Sequence, residues 1–281
     1  MQNGWIENKI FGIIASVQMS ETEVKNMLAL IYSVIVIIVL GFLYKKMIDW
    51  EAPLKITKAQ AIVPIVLGVL SLPLSFIIFM LIAALCRNVL GLSIGDGPLL
   101  LAGFTEALFT AALNEELAKL IFTLISIIIF RKKIKNVYDY ILIGGAVGFG
   151  FTIVEEFIYT SGIVTLIIRT LTITVHMMLG FAMGRHLGLA RYNKVTGKGS
   201  VWKEYLLAFL VPVAVHTIYD TLSTNKFLSV KVEAIVIIGI IMSLTALVLT
   251  FTLQVFVFKR LKKNVGTLTA LSVLKNETEG A

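Results

Sequence analysis

The sequence predicts an all-α membrane protein: a polytopic bundle of about seven transmembrane helices, with the N-terminus outside and the C-terminus in the cytoplasm. Three observations lead there. Of 281 residues, 58% are hydrophobic and 15% charged, with a mean hydropathy of +0.92, whereas soluble domains run at about 45–50% apolar and about 25% charged. Seven apolar segments, near residues 27–44, 61–85, 109–130, 138–160, 163–184, 204–222 and 232–258, are each long enough for a hydrocarbon core of about 30 Å. The basic residues then alternate from loop to loop. Eighteen of the 25 Lys and Arg fall on one side, in loops carrying Lys45, Arg131, Arg185, Arg260 and their neighbours. Five fall on the other side (Lys9, Lys25, Arg87, Lys226 and Lys231), and Lys119 and Arg169 lie inside spans. The positive-inside rule turns that asymmetry into the orientation. The net charge of +8 is therefore a topology signal and makes no case for nucleic acid. A single cysteine, Cys86, forms no internal disulfide.

Taken in order, residues 1–26 hold an apolar stretch too short to span and without a basic lead-in. An interfacial helix is expected there, not a cleaved signal. The second span carries Pro64 and Pro73, which kink a membrane helix without forbidding it. Residues 87–97 read as a glycine-rich connector. Residues 98–108 are apolar and run straight into the third span; the two together exceed one bilayer thickness at about 1.5 Å per residue, so a bend, a strong tilt or a re-entrant piece is expected. The seventh span has no ionisable residue between Glu233 and Lys259 and reads as a scaffold helix. The tail at 264–281 is expected to be cytoplasmic and disordered. The whole chain, 1–281, reads as one integral membrane domain with its bundle at 27–258.

Polar residues inside the spans carry the functional signal. The third span contains Leu113-Asn114-Glu115-Glu116-Leu117-Ala118-Lys119. With about 100° between successive helical residues, Glu115, Glu116 and Lys119 share one sector. Each charge costs roughly 2.5–3.5 kcal/mol at a lipid-facing helix centre, so an interior place must exist for them. In the fourth span Gly144, Gly148, Phe151 and Glu155 share a face whose glycines admit a neighbouring helix; Glu156 points elsewhere. The fifth aligns Thr165, Arg169, Thr172, His176 and Gly180, and the sixth Pro212, His216, Asp220 and Ser223. Counted from the cytoplasmic ends, Glu115 and Arg169 stand about 22 Å up, Glu155 about 25 Å, Asp220 about 24 Å, His216 about 18 Å and His176 about 12–18 Å. The helices thus deliver carboxylates and imidazoles to one layer in the outer half of the bilayer. Simpler roles go to Arg169 (a counter-ion), Lys119 with Glu115 (an ion pair), Asp139 (an N-cap) and His186 (solvated).

Two schemes of amide hydrolysis fit these residue types. In one, His176, His216 and Glu155 hold a metal, zinc being the usual choice, and a glutamate takes the proton of bound water. In the other, a desolvated glutamate activates water with no metal, and a histidine or Arg169 stabilises the oxyanion. Buried Glu, His and Asp also make proton relays. A proton- or cation-coupled transporter, or an inactive membrane scaffold or protection protein, therefore stands as the alternative.

Four motifs follow one another: Glu-Glu-x-x-Lys at 115–119, Tyr-Asp-x-x-x-x-Gly at 138–144 leading into Gly-x-Gly-Phe-x-x-x-Glu at 148–155, His-x-x-x-Gly at 176–180 and His-x-x-x-Asp at 216–220. In order and spacing the chain resembles the PrsW family of intramembrane proteases, over roughly residues 113–222. It is similar in plan to the CAAX-protease and bacteriocin-processing family, but has Leu120 and Glu155 where that family shows Arg and His. The resemblance implies cleavage of a membrane-anchored protein substrate in or near the bilayer by a multi-pass protein of the cell membrane, with residues 113–222 as catalytic core. It implies Glu115, Glu116 and His176 as the essential residues, with Glu155, His216 and Asp220 in support.

Overall fold

The computed structural model describes residues 21–51, 55–159, 163–224, 226–227 and 229–274. Among them are nine α-helices: α1 (Glu21–Trp50), α2 (Lys58–Asn88), α3 (Leu99–Glu106), α4 (Leu113–Phe130), α5 (Val137–Tyr159), α6 (Ile163–Thr172), α7 (Val175–Thr196), α8 (Val201–Leu222) and α9 (Glu233–Ala270). The interfacial helix expected within 1–26 lies, for residues 1–20, outside the described residues.

Five stretches are long and apolar enough to cross a membrane: Ala29–Trp50, Lys58–Asn88, Val137–Ile158, Val201–Leu222 and Glu233–Ala270. The two remaining expected spans are the irregular ones, and both carry site residues. α4 packs Glu115, Glu116 and Lys119 into 18 residues. Residues 163–184 do not form one helix as expected, because α6 ends at Thr172 and α7 starts at Val175. The run Thr172-Ile173-Thr174-Val175 is β-branched throughout, which lowers helix propensity where the chain turns.

The path of 98–108 is also settled. α3 runs on into α4 through a π-helical segment, Ala107–Ala112, where the Leu113 N–H bonds to the Leu108 carbonyl five residues back. The chain gains a residue in that turn without breaking, and the extra residue rotates α4 relative to α3 just before Glu115.

α5 is the centre of the bundle. Its apolar stretch is 72% buried, against 17–33% for the other four. Glycines explain the difference. A Cβ on Gly144 would drive into the Gly180 carbonyl, and one on Gly148 into the His176 backbone. On the other flank, Gly150 meets Ile65 and Gly68 of α2 meets Val147 in the same way. Backbone thus lies on backbone along both sides of α5, the close approach that small residues permit between membrane helices. The outer faces of α1 and α9 are apolar and open, with Ile38 65% and Val248 63% exposed, as lipid-facing surfaces are.

The basic end is more ordered than the sequence suggests. α9 continues to Ala270 instead of stopping near 258. Residues 271–273 then lie along 135–137, with Val137 N–H donating to the Leu271 carbonyl at 3.1 Å and Val273 N–H to the Lys135 carbonyl at 2.9 Å. The expected disordered tail is therefore helical and docked through residue 274. The N-cap is Asn136, not Asp139 as expected: Asn136 Oδ1 accepts from Asp139 N–H at 3.0 Å, and Asp139, inside the first turn, accepts through Oδ2 from Lys135 N–H at 2.6 Å. Asn136 Nδ2 also donates to Glu51 Oε1 at 3.2 Å, and Glu51 is only 2% exposed. Burial first, and then the neighbouring Asp139, push the Glu51 carboxyl up to about 8.

Two predictions arise from this packing. Gly144→Ala and Gly180→Ala should each destabilise the bundle by roughly 1–3 kcal/mol or more. Gly266→Ala on α9, where a Cβ meets open space, should be neutral or stabilising by up to about 1 kcal/mol; thermal melts in detergent compare the three. Between about 4.5 and about 8 the folded chain keeps a Glu51 proton that the unfolded chain has released, so stability should fall as pH rises through that window. Melts of wild type and Glu51→Gln across it should show a descent that the variant flattens.

Candidate active site

Helices α4, α5, α6, α7 and α8 bring the predicted polar layer together. Lys119 lies at its centre, 1% exposed. Its Nζ donates to Glu116 Oε1 at 2.7 Å and to His176 Nδ1 at 2.9 Å, and lies 3.6 Å from Glu115 Oε2. An ammonium has no lone pair to offer, so His176 Nδ1 is an acceptor here and the ring proton sits on Nε2. That nitrogen contacts Glu155 Oε2 at 2.5 Å. His176 holds this position because Gly148 lets its backbone lie directly against α5. The Phe151 ring closes the floor, 4.0 Å from Lys119 Nζ and 4.8 Å from the His176 ring.

His216 of α8 faces His176, with ring centroids 5.3 Å apart. Glu116 Oε1 lies 2.9 Å from its Nδ1, Asp220 Oδ2 3.2 Å from its Nε2 and Glu115 Oε2 3.9 Å from the same nitrogen. Arg169 binds both acids of α5, with Nη2 3.0 Å from Glu155 Oε1 and Nε 2.5 Å from Glu156 Oε2. Every residue expected in the layer is there. Arg169 is the counter-ion anticipated, although it reaches Glu155 from α6 and His176 does so from α7, so their shared face is made by the bundle and not by one helix. Glu156, expected to point elsewhere, is buried and paired. His186, expected in solvent, pairs with Glu204 at 2.6 Å. The Thr165 side chain lies outside what is described.

The atoms themselves indicate how well the site suits a metal. The side chains whose ligand atoms all fall within 4.8 Å of one another are Glu115, His176 and His216. Glu155, the carboxylate favoured from sequence, stands instead at the far nitrogen of His176. Each imidazole has a carboxylate at one nitrogen, Glu155 for His176 and Glu116 for His216, as metal-ligating histidines do, while the other nitrogen meets Lys119 in His176 and Asp220 in His216. Buried Oε2 atoms of Glu115 and Glu116 have no hydrogen-bond donor among the described residues. Five carboxylates gather around two fixed cations, Lys119 and Arg169. The residues present fit a divalent cation, which Glu115, His176 and His216 would hold.

Gln254 is the residue that sequence reading missed. Its Oε1 accepts from Thr174 N–H at 3.1 Å and from the Thr174 hydroxyl, and its Nε2 donates to the Leu171 carbonyl at 3.0 Å. It splices the break between α6 and α7, directly ahead of His176. The signal was present: a long amide in an otherwise apolar span.

A model of the PrsW family, described as intramembrane metalloproteases, matches residues 61–251. Among curated proteins, Protease PrsW of Oceanobacillus iheyensis is 33% identical over 120 residues, which cover 42% of this chain and 54% of that protein. The chain thus spans about half the length of the curated relative it matches. No solved structure matches it. The family match takes in the whole polar layer and stops three residues before Gln254.

Gln254→Leu should therefore leave the backbone groups of Thr174 and Leu171 unpaired inside the bundle, at a cost of about 1–3 kcal/mol. Hydrogen exchange should show lost protection confined to residues 171–176, with the rest of α9 unaffected.

Proposed function

The chain belongs to the PrsW family of intramembrane metalloproteases, and on that basis we propose that it hydrolyses a peptide bond of a membrane-anchored protein substrate within or beside the bilayer. The observation that carries this reading is the meeting of Glu115, His176 and His216 within 4.8 Å inside an apolar bundle, with carboxylates behind both imidazoles. The multi-pass fold supplies the setting. We read seven crossings, counting α3 to α4 as one pass and α6 to α7 as another. The end carrying Arg131, Arg185 and Arg260 is cytoplasmic and the N-terminus is outside. The polar layer then lies toward the outer side.

Hydrolysis needs a proton acceptor, a polarised carbonyl and a proton for the leaving nitrogen. Glu115 is the better acceptor of the α4 pair: its side chain keeps 16% exposure, whereas that of Glu116 has none and is fixed between Lys119 and His216. As the water oxygen bonds to the scissile carbon, its proton passes to Glu115, and from there to the amide nitrogen as the C–N bond breaks. Glu155, whose Oε2 meets His176 Nε2 at 2.5 Å, takes this part if Glu115 serves as a ligand. Glu116 and Asp220 orient His216, and Lys119 orients Glu115 and His176. A divalent metal such as zinc, held by Glu115, His176 and His216, would supply Lewis acidity and a more acidic water.

The test is reconstitution of the full chain in liposomes with single-span substrate proteins. A Glu115→Gln, Glu116→Gln double variant should lose at least about a hundredfold in cleavage rate; undiminished cleavage would remove the assigned acceptor. Metal analysis separates the two forms of the site: stoichiometric metal lost in His176→Ala marks the metallo form, and metal absent from both proteins marks the glutamate form.

A further inference from the structure

A cavity lies away from the polar layer, between α7, α8 and α9. It encloses about 600 Å³. Its walls are apolar: Leu179 and Ala182 on α7, Val211 and Val215 on α8, Leu253 and Val257 on α9. At its rim, partway along the lining, stand Arg185 of α7 and Arg260 of α9, while Leu189, Asn264, Thr267, Leu268 and Leu271 line it further toward the basic end. Both arginines are exposed. Neither has a carboxylate partner among the described residues, Arg260 lying only over the Phe256 ring at 5.8 Å. Arg185 comes nine residues after His176 and Arg260 six after Gln254, so the rim is about 9–14 Å nearer the basic end than the helix break.

We propose that this cavity binds an anionic phospholipid, one acyl chain running between the helices and the phosphate seated on Arg185 and Arg260. The size argues for a chain. A helix about 10 Å across, rising about 5.4 Å per turn, would fill this volume in little more than one turn, so a substrate's membrane span does not fit, whereas a slender hydrocarbon chain does. The rim argues for the headgroup. Two guanidinium forks with no competing carboxylate match phosphate oxygens bidentately. They also belong to the end bearing the basic loops, where basic pockets between membrane helices meet anionic headgroups. Val215 adjoins His216 in sequence, so the seated lipid braces the back of the helix that carries the site.

The experiment uses the full chain purified in a neutral detergent, with bound lipid counted by native mass spectrometry during separate titrations of phosphatidylglycerol, phosphatidylcholine and inorganic phosphate. Phosphatidylglycerol should be retained at one per chain, phosphatidylcholine weakly. The pair Arg185→Gln, Arg260→Gln should weaken phosphatidylglycerol on the order of tenfold or more. The pair Lys262→Gln, Lys263→Gln, which removes equal charge outside the cavity, should leave it unchanged. Ala182→Phe, filling the wall while keeping both arginines, should also lower occupancy. Equal weakening by both charge pairs, or equal binding of phosphatidylcholine, would reduce the effect to surface attraction and overturn the proposal. Displacement of the lipid by inorganic phosphate alone would overturn it as well, as would undiminished binding to Ala182→Phe.

Discussion

One buried ammonium holds the interior of this bundle together. Lys119 sits among apolar helices at 1% exposure, where an unpaired charge is not sustainable. Hydrogen bonds to Glu116 and His176 and a second carboxylate, Glu115, answer it, from its own helix and from α7. Removing one partner from such a buried set costs about 3–5 kcal/mol, because the charge left behind has no water to turn to. The same constraint runs outward. Glu116 is answered a second time by His216 on α8, and Glu155 is answered by His176 on α7 and Arg169 on α6. Charges that lipid cannot accept thus tie five helices to one point.

Ion pairs between flexible side chains alone would not set positions to a fraction of an ångström. The glycines do that. Where Gly144 meets Gly180 and Gly148 meets His176, the distance between α5 and α7 is fixed by main-chain atoms in contact, with no side chain between them to change rotamer. His176 therefore inherits its place from the backbone of α5, the helix that also carries Glu155 and Phe151. An imidazole and the carboxylate behind it are registered against each other through a rigid crossing and not through their own flexible side chains.

Much of this was legible in the sequence. The cost of charges in apolar spans, the alternation of basic loops and the matching depths of Glu115, Glu155, His176, His216 and Asp220 all follow from spacing along straight helices, and each of those residues lies in the layer. What escaped were the places where helices stop being straight. The π-helical segment at Ala107–Ala112 leaves no mark on the hydrophobic pattern. The break after Thr172 was visible only as a β-branched run that hydropathy counts as apolar. Pairings between distant segments were also out of reach: Arg169 with Glu156, Gln254 with Thr174, and residues 271–273 with 135–137 depend on tertiary placement that periodicity does not encode. The partner of the imidazoles went astray for the same reason. Helical faces point both Glu115 and Glu155 inward, and the π turn that re-aims α4 helps bring Glu115, not Glu155, into the trio.

The two irregularities flank the site, and their placement has a physical logic. Non-helical backbone at membrane depth is tolerated only where protein or a wetted cavity satisfies its polar groups. The break before His176 meets that condition because α9 contributes Gln254, which takes up a donor on one side of the turn and an acceptor on the other. Along its membrane stretch α9 otherwise presents little but hydrocarbon, and against α7 and α8 it borders the apolar cavity at whose rim Arg185 and Arg260 stand. A helix with no ionisable group in its membrane stretch therefore supports the site at one level and borders the lipid-sized cavity at the next. Because Gln254 and Arg260 are less than two helical turns apart on one rigid element, whatever occupies the cavity bears on the same helix that holds the turn before His176 closed.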